Sequence, residues 1–198
     1  MIKLENTCFR WKKDDPILLQ IPKFRVKCGE RVFIKGPSGS GKTTLLNLLG
    51  GVSIPETGSI SVMSTNLFEL GSAERDAFRA DHIGYIFQMF NLIPYLSLIE
   101  NVTLPCRFST KRRQRALSQA STIEEEAKRI LSALKLDLTT TISQPVSQLS
   151  IGQQQRVAAA RSIIGSPELI IADEPTSSLD LDVRGSFLDL LFQEVCNT

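Results

Sequence analysis

The sequence predicts an α/β fold interrupted by a mostly helical segment, and three observations lead to this class. An apolar run, Arg31 to Lys35, ends in a glycine-rich loop that a helical stretch, Thr43 to Leu49, follows. Strand, glycine loop and helix in this order open many α/β units. Ile83 to Phe87 and Leu169 to Ala172 are two more strand candidates. Between them, roughly from residue 89 to residue 165, apolar residues follow helical spacing.

The strand candidate Leu169 to Ala172 is continuously apolar, so we expect it to be buried on both faces of a sheet. A chain of 198 residues suits one domain, or one core with an inserted subdomain. We therefore predict a core made of residues 1–88 and 166–198, with residues 89–165 as an inserted helical subdomain.

Three further helices are predicted, the first of them from apolar spacing and capping residues. Thr122 to Leu136 is the first, and either Ser121 or Thr122 can cap it, because a glutamate follows each of them three residues later. Gln153 to Ile164 is the second, and Arg184 to Val195 is the third.

Composition narrows the function classes. The net charge of +2 is too small to indicate a nucleic-acid-binding protein. No apolar run approaches the roughly 20 residues that span a bilayer, and the N-terminal residues lack the apolar stretch of a secretory signal. The four cysteines form no CxxC pair and are expected to be reduced thiols. We expect a soluble protein inside the cell, so any membrane role must come through a partner.

One basic run interrupts the helical segment. We interpret it as a solvated face or a mobile loop, and the alternative is contact with a partner or with lipid headgroups. Its members are Arg107, Lys111, Arg112, Arg113 and Arg115.

The segment Gly36 to Thr43 fits the pattern G-x-x-x-x-G-K-[ST] in full. Its glycines let the backbone fold around phosphate oxygens, while backbone N–H groups and the following helix N-terminus point at the anion. Lys42 would bring positive charge to the outer phosphates, and the Thr43 hydroxyl can ligate Mg²⁺. The predicted nucleotide ligands are Gly36, Ser38, Gly39, Ser40, Gly41, Lys42, Thr43 and Thr44.

Two acidic residues, Asp173 and Glu174, follow the strand candidate that ends at Ala172. Ligand sites in open α/β sheets lie at the carboxyl ends of strands. Asp173 is placed to hold Mg²⁺ through water, and Glu174 is placed to polarise or deprotonate a water that attacks the phosphate. The alternative, a polar strand end without a function, is disfavoured by the phosphate-loop pattern in the same chain.

Leu149 to Gln153 reads LSIGQ. Ser150 can cap the helix that follows and Gln153 completes a capping box, which exposes a helix N-terminus suited to an anion. Together with the phosphate loop and the acid pair, this segment resembles the LSGGQ motif of the ATP-binding cassette family. In that family the motif binds the γ-phosphate of ATP held by the opposite subunit, which the resemblance implies for Ser150, Gly152 and Gln153. Ile151 replaces the first glycine of the LSGGQ motif, and its β-branched side chain forbids the positive φ that glycine allows. We expect function to survive this replacement, with an altered dimer affinity.

Other segments match the same family. Gln88 resembles the glutamine that senses metal and water and hinges the helical region, so it is predicted to be both catalytic and metal-binding. Met89 to Asn101 resembles the stretch that contacts the membrane subunit, and Ser177 to Asp180 resembles the loop at the dimer interface. Trp11 lies where the family places an aromatic residue that stacks on adenine. Phe9 is its rival for that role, and packing in the core or at an edge is the alternative for Trp11.

The resemblance implies a P-loop ATPase core with an inserted helical subdomain that hydrolyses ATP with Mg²⁺ and energises a separate integral-membrane permease. Two copies would close on two ATP molecules, so a second copy and a permease are the expected partners, and nucleic acid is not. The expected location is the cytoplasm, at the inner face of the cell membrane through the permease. The sequence around LSIGQ most resembles that of the family branch that serves lipoprotein release, macrolide efflux and cell division.

The family carries a switch histidine beyond the catalytic glutamate, and this sequence does not match it. The one histidine, His82, lies far upstream and is expected on a surface or in a loop. Two explanations stay open: either the sequence is a piece of a longer chain that carries the last core strands and the switch histidine beyond Thr198, or the native protein is a short regulator or scaffold that binds ATP with little hydrolysis. A soluble cassette acting on nucleic acid or ribosomes is disfavoured because no second cassette or coiled coil is present, and a generic P-loop kinase does not explain LSIGQ.

Overall fold

The computed structural model describes residues 2–142, 144–176 and 181–197. They divide into two compact units, with the boundary between Arg79 and Ala80. Within the described residues, no helix is both long and apolar enough to cross a bilayer.

The first unit is built on an antiparallel sheet of four strands in the order β2-β1-β3-β4. The strands are β1 (Ile2–Phe9), β2 (Leu19–Val26), β3 (Thr57–Val62) and β4 (Thr65–Asn66). Buried positions alternate along β1 at Ile2 and Leu4, and the alternation changes phase before Thr7 and Phe9. The register between β1 and β3 shifts at the same place, as a β-bulge requires, because one extra residue turns the following side chains over.

Helix α1 (Lys42–Leu49) lies against β3, and it begins one residue before the predicted Thr43. Its Leu48 is fully buried, as are Leu4 and Ile60 of the sheet, so these side chains form the apolar centre of the first unit. Helix α2 (Ser72–His82) follows β4 and leads from the first unit into the second.

The strand predicted at Arg31 to Lys35 is wrong. These residues have no regular secondary structure, and the side chain of Phe33 is 79% exposed. A strand is stable only when a neighbouring strand pairs with its backbone N–H and C=O groups. In the part of the chain that the structure describes, no strand pairs with this run, so its apolar composition alone does not make it a strand.

The second unit contains a parallel pair of strands, β5 (Ile83–Ile86) and β6 (Leu169–Ala172). Both strands were predicted, and a chain of helices connects them. These are α3 (Leu98–Thr103), α4 (Pro105–Phe108), α5 (Thr110–Gln119), α6 (Ile123–Ala133), α7 (Leu138–Thr141) and α8 (Ile151–Ile163). Helix α9 (Leu181–Asn197) covers the third predicted helix. The division of the whole chain into a core and an inserted subdomain stays a prediction.

The core of the second unit is apolar, and helices α3, α4, α5, α6, α8 and α9 all contribute buried side chains to it. Its fully or nearly buried side chains include Leu98 of α3, Ile130 and Leu131 of α6, Val157 and Ile163 of α8, and Leu191 of α9. Strand β6 is less covered than predicted, because only Ile171 is buried and its neighbours along the strand are half-buried. The reason is that β6 pairs with β5 alone among the described strands.

The caps predicted for two helices are present. Thr122, rather than Ser121, caps α6 by accepting a hydrogen bond from the Glu125 N–H at 3.1 Å. Ser150 caps α8 in a complete capping box, and the helix therefore begins at Ile151, two residues before the predicted start.

Candidate functional site

The glycine-rich loop leads directly into α1. Gly41, the residue before the first helical turn, has a left-handed backbone with φ of 88°. The positive φ favours glycine here, and a Cβ would also lie 2.8 Å from Cδ2 of Leu19, which would have to shift. Gly41 offers no capping side chain, and the first turn of α1 holds no acidic residue. The first N–H groups of α1 therefore suit an anion.

Lys42 folds back over this loop. Its Nζ donates to the carbonyl oxygens of Gly36 at 2.9 Å and Pro37 at 3.0 Å, which places an ammonium group beside the loop backbone. Thr43 is exposed, whereas Thr44 is buried, so Thr44 would meet a nucleotide through its backbone. The remaining predicted loop ligands, Gly36, Ser38, Gly39 and Ser40, are all exposed.

In the second unit, the ends of β5 and β6 bring three predicted site residues together. The parallel pairing continues past β6, because the Asp173 N–H donates to the Ile86 carbonyl at 2.9 Å. The side-chain amide of Gln88, two residues beyond β5, donates to Oε2 of Glu174 at 3.4 Å. Gln88, Asp173 and Glu174 therefore meet at the carboxyl ends of two parallel strands, where ligand sites of open α/β sheets lie.

Asp173 and Glu174 differ in their environment. Asp173 is buried, and none of the ion pairs formed among the described residues involves it. Its charge is nevertheless felt nearby, because burial and the Asp173 carboxylate together raise the pKa of Tyr85 to about 12. A buried carboxylate without a cationic partner suits a hard cation such as Mg²⁺. Glu174 is exposed, and its φ of 46° holds it in the left-handed region.

The LSIGQ segment forms the start of α8. The Gln153 N–H donates to the Ser150 hydroxyl at 3.3 Å, and the Ser150 N–H donates to Oε1 of Gln153 at 2.8 Å. Ile151 is the first residue of the helix, is 57% exposed and does not have a positive φ. The β-branched side chain therefore meets no backbone conflict here, and Gly152 lies in the same helical turn.

Two residues of α8 that the sequence did not single out hold the segments after β5 and β6. The guanidinium of Arg161 donates to the carbonyl oxygens of Phe90 at 2.5 Å and Asn91 at 2.7 Å. The side-chain amide of Gln155 donates to the Pro175 carbonyl. The only sequence signal was their place on a helix that carries a motif, and that signal does not distinguish them from the neighbouring polar residues.

The basic run is not simply a solvated face, because Arg112 is buried. Its guanidinium donates to carbonyl oxygens around the C-terminus of α8, namely those of Arg161, Ser162 and Ile164, and to that of Ile83. Burial lowers the pKa of Arg112 to about 10. Arg107, Lys111 and Arg113 are exposed, so the original interpretation holds only for part of the run.

His82 and Arg115 meet at Glu168, just before β6. Oε1 of Glu168 lies 2.6 Å from Arg115 and Oε2 lies 3.0 Å from Nδ1 of His82. Although burial raises the pKa of Glu168, the hydrogen bonds from Arg115 and His82 outweigh it and lower that pKa to about 2. His82 is thus the last residue of a helix, half-buried and bound to a carboxylate, rather than a plain surface residue.

Trp11 belongs to the first unit and is 62% exposed, which rules out packing in the core. Its ring meets that of Phe9 edge to face, with centroids 5.0 Å apart, and Phe9 itself is buried. Of the two candidates for stacking on adenine, only Trp11 offers an accessible ring. The predicted interface loop, Ser177 to Asp180, lies outside the described residues.

Comparison with known proteins places these features in one family. The family profile "ABC transporter" matches residues 19–177. The ABC transporter ATP-binding protein MJ0796 of Methanocaldococcus jannaschii is 40% identical over 195 residues, covering 96% of this chain and 80% of the relative. The lipoprotein-releasing system ATP-binding protein LolD of Chromohalobacter salexigens is 37% identical over 96% of this chain and 78% of its own length.

A solved structure agrees with the sequence matches. It is described as a dimeric structure of a post-hydrolysis state of the ATP-binding cassette MJ0796 bound to ADP and Pi. It superimposes with a TM-score of 0.81 at 35% identity and covers 98% of this chain and 83% of that one. The chain therefore belongs to the ABC transporter family, and it is an ATP-binding, ATP-hydrolysing cassette of the branch that includes the lipoprotein-releasing ATPases.

Proposed function

We propose that this chain hydrolyses Mg²⁺-ATP as one of two identical subunits and thereby drives a separate membrane permease. Glu174 is the general base, Gln88 orients the attacking water and the metal, and Lys42 with the loop amides holds the phosphates. The proposal rests mainly on one contact: where β5 and β6 end, Nε2 of Gln88 lies 3.4 Å from Oε2 of Glu174. A water held between such an amide and a carboxylate is oriented and can lose a proton to the carboxylate.

The oxygen atoms of three proposed site residues suit Mg²⁺. Asp173 offers a buried carboxylate, Thr43 offers an exposed hydroxyl, and Gln88 offers an amide oxygen, all of which are oxygen ligands. When bound, the ion neutralises the charge that develops on the transferred phosphate.

A second copy of the chain would complete the site. The exposed Ser150 at the capped start of α8 presents a helix N-terminus that attracts an anion. In the proposed dimer, Ser150, Gly152 and Gln153 bind the γ-phosphate of the ATP that the other copy holds. The dimeric structure described for the related cassette supports this arrangement.

The segment after β5 is the proposed contact with the permease. Met89 is 81% exposed and Tyr95 is 83% exposed, although both are large apolar side chains. Such residues beside Gln88 offer an apolar docking point, and a movement of this segment would reach the permease. This contact would hold the chain at the inner face of the cell membrane.

The substitution Glu174→Gln tests the proposal. It keeps the size of the side chain and removes the base, so we expect steady-state ATP turnover to fall by ~10²–10⁴-fold while ATP still binds. Light scattering after Mg²⁺-ATP addition should then show a trapped dimer. Glu124→Gln, an equal charge change at an exposed position of α6, is the control and should keep parental turnover. Unchanged turnover in Glu174→Gln would refute the assignment of the base.

A further inference from the structure

Gln155 is a buried polar side chain whose hydrogen bonds do not fully compensate its burial. The side chain is fully buried, and its Nε2 donates to the Pro175 carbonyl. Its Oε1 is also buried, and it has no hydrogen-bond partner among the described residues. A buried amide whose oxygen lacks a hydrogen-bond partner destabilises a fold relative to an apolar side chain of the same size. Among the described residues the side chain makes one hydrogen bond, to Pro175, and we look to that bond for the reason that a glutamine lies here.

That bond lies next to the most strained residue of the candidate site. Glu174 combines a φ of 46° with a position directly before a proline, and both the side chain and the proline ring disfavour this conformation. A strained residue persists only where its surroundings determine it from both sides. Here the Asp173 N–H is held by the Ile86 carbonyl on one side. The Pro175 carbonyl is held by Gln155 on the other side.

Gln155 also lies on the helix that begins with the LSIGQ segment. It is three residues beyond Gly152, about 4.5 Å along the helix axis. The same helix holds the segment after Gln88, because Arg161 binds the carbonyl oxygens of Phe90 and Asn91. Helix α8 thus fixes the two segments whose side chains, Gln88 and Glu174, meet at 3.4 Å.

We propose that Gln155 is a positioning residue for the base: its amide fixes the Pro175 carbonyl, holds the left-handed backbone of Glu174, and ties the carboxylate to the helix that carries Ser150. This inference rests on the proposed role of Glu174. It assigns Gln155 no contact with ATP, so its loss should affect turnover and leave nucleotide binding intact.

Gln155→Met tests the inference, because it keeps the length of the side chain and removes only the bond to Pro175. We expect kcat to fall by ~10–100-fold, as a small misplacement of a catalytic group does, while the ATP affinity and KM stay within about threefold of the parent. Ser162→Ala is the matched control on the same helix. Among the described residues, its buried hydroxyl bonds the Ala159 carbonyl alone, at 2.7 Å, so the control should keep parental kcat.

Gln155→Glu gives a second test, because a purely structural role of this residue would not change the pH dependence of kcat. A buried carboxyl has a raised pKa, so it gains a proton as the pH falls and its O–H can then donate to the Pro175 carbonyl. The kcat of this variant, divided by that of the parent at each pH, should rise as the pH is lowered from about 8.5 to about 6. The ratio removes effects that the parent shares.

The outcomes separate the two proposals. If Glu174→Gln abolishes turnover but Gln155→Met keeps kcat within about twofold of the parent, Gln155 is not a positioning residue. A flat pH ratio for Gln155→Glu overturns it as well, even if the methionine variant does not fold. If Glu174→Gln keeps full turnover, the proposed function fails first.

Discussion

Arg112 gives a sharp test of how α8 is anchored. The guanidinium is buried and donates five hydrogen bonds to four carbonyl oxygens, with donor–acceptor distances from 2.6 Å to 3.4 Å. Three of these carbonyls end α8 or follow it directly, where intrahelical donors are missing and the helix dipole is negative. Arg112 therefore acts as the C-terminal cap of the helix that begins at Ser150.

The substitution Arg112→Met removes these donors without changing the length of the side chain much. Leaving each of four buried carbonyls without its partner costs roughly 1 kcal/mol, or about 4 kcal/mol together. Part of this loss is offset, because the arginine no longer has to be stripped of water on folding. We therefore expect the free energy of unfolding to fall by about 3 kcal/mol.

The assay is urea denaturation followed by far-ultraviolet circular dichroism. Arg113→Met is the matched control, because Arg113 is the exposed neighbour on the same helix and the charge change is identical. An exposed position should change the free energy by no more than about 0.5 kcal/mol. Arg112→Lys should recover only a minor part of the loss, since one ammonium cannot reach four carbonyls. Equal stability of the Arg112→Met and Arg113→Met variants would refute the reasoning.

Three further predictions concern a glycine, a carboxylate and the phosphate loop. Gly165→Ala should destabilise the chain by at least about 2 kcal/mol in thermal denaturation, because Gly165 has a φ of +68° and its added Cβ would lie 2.4 Å from the Arg112 carbonyl oxygen. Gly185→Ala is the control and should not destabilise the chain, because the space around its added Cβ is open. Since the folded-state pKa of Glu168 is about 2, below its unfolded value, its contribution to stability is present above about pH 4.3 and is lost as the pH falls toward 2. The parent should therefore lose more Tm across that window than Glu168→Gln does, and equal losses would contradict the prediction. Lys42→Ala should weaken ATP binding in calorimetry by ~100-fold, and an affinity within a few-fold of the parent would exclude the role given to Lys42.

Local patterns in the sequence were enough to predict β6 and the capped start of α8, which carry part of the candidate site. The continuous apolar run of β6 ends where two acids begin, so its bounds, Leu169 to Ala172, matched the structure. Capping boxes work the same way, because the cap and its partner are only three residues apart. Ser150 could therefore be recognised before any tertiary contact was known, while the cap of α6 was narrowed to Ser121 or Thr122.

Features that depend on distant residues could not be predicted. Arg112 and Arg113 are adjacent and chemically identical, yet one caps α8 and the other faces water, because the carbonyls that select Arg112 are about 50 residues away in the sequence. Gln155 follows two other glutamines, and only the position of Pro175 distinguishes it from them. The run Arg31 to Lys35 failed for the opposite reason: it has a strand's composition but lacks a pairing partner among the described strands.

The contacts of α8 explain why a single helix can serve two chemical tasks. In the proposed dimer its N-terminus binds an anion and therefore has to stay open, and Ile151 is indeed exposed. Its position has to be set farther along, and Gln155, Arg161 and the guanidinium of Arg112 provide those contacts. Gln155 and Arg161 join α8 to backbone carbonyls of the two site segments, and Arg112 joins carbonyls at the end of α8 to helix α5. A force on Ser150 that shifts α8 would therefore also shift the two segments that carry Gln88 and Glu174.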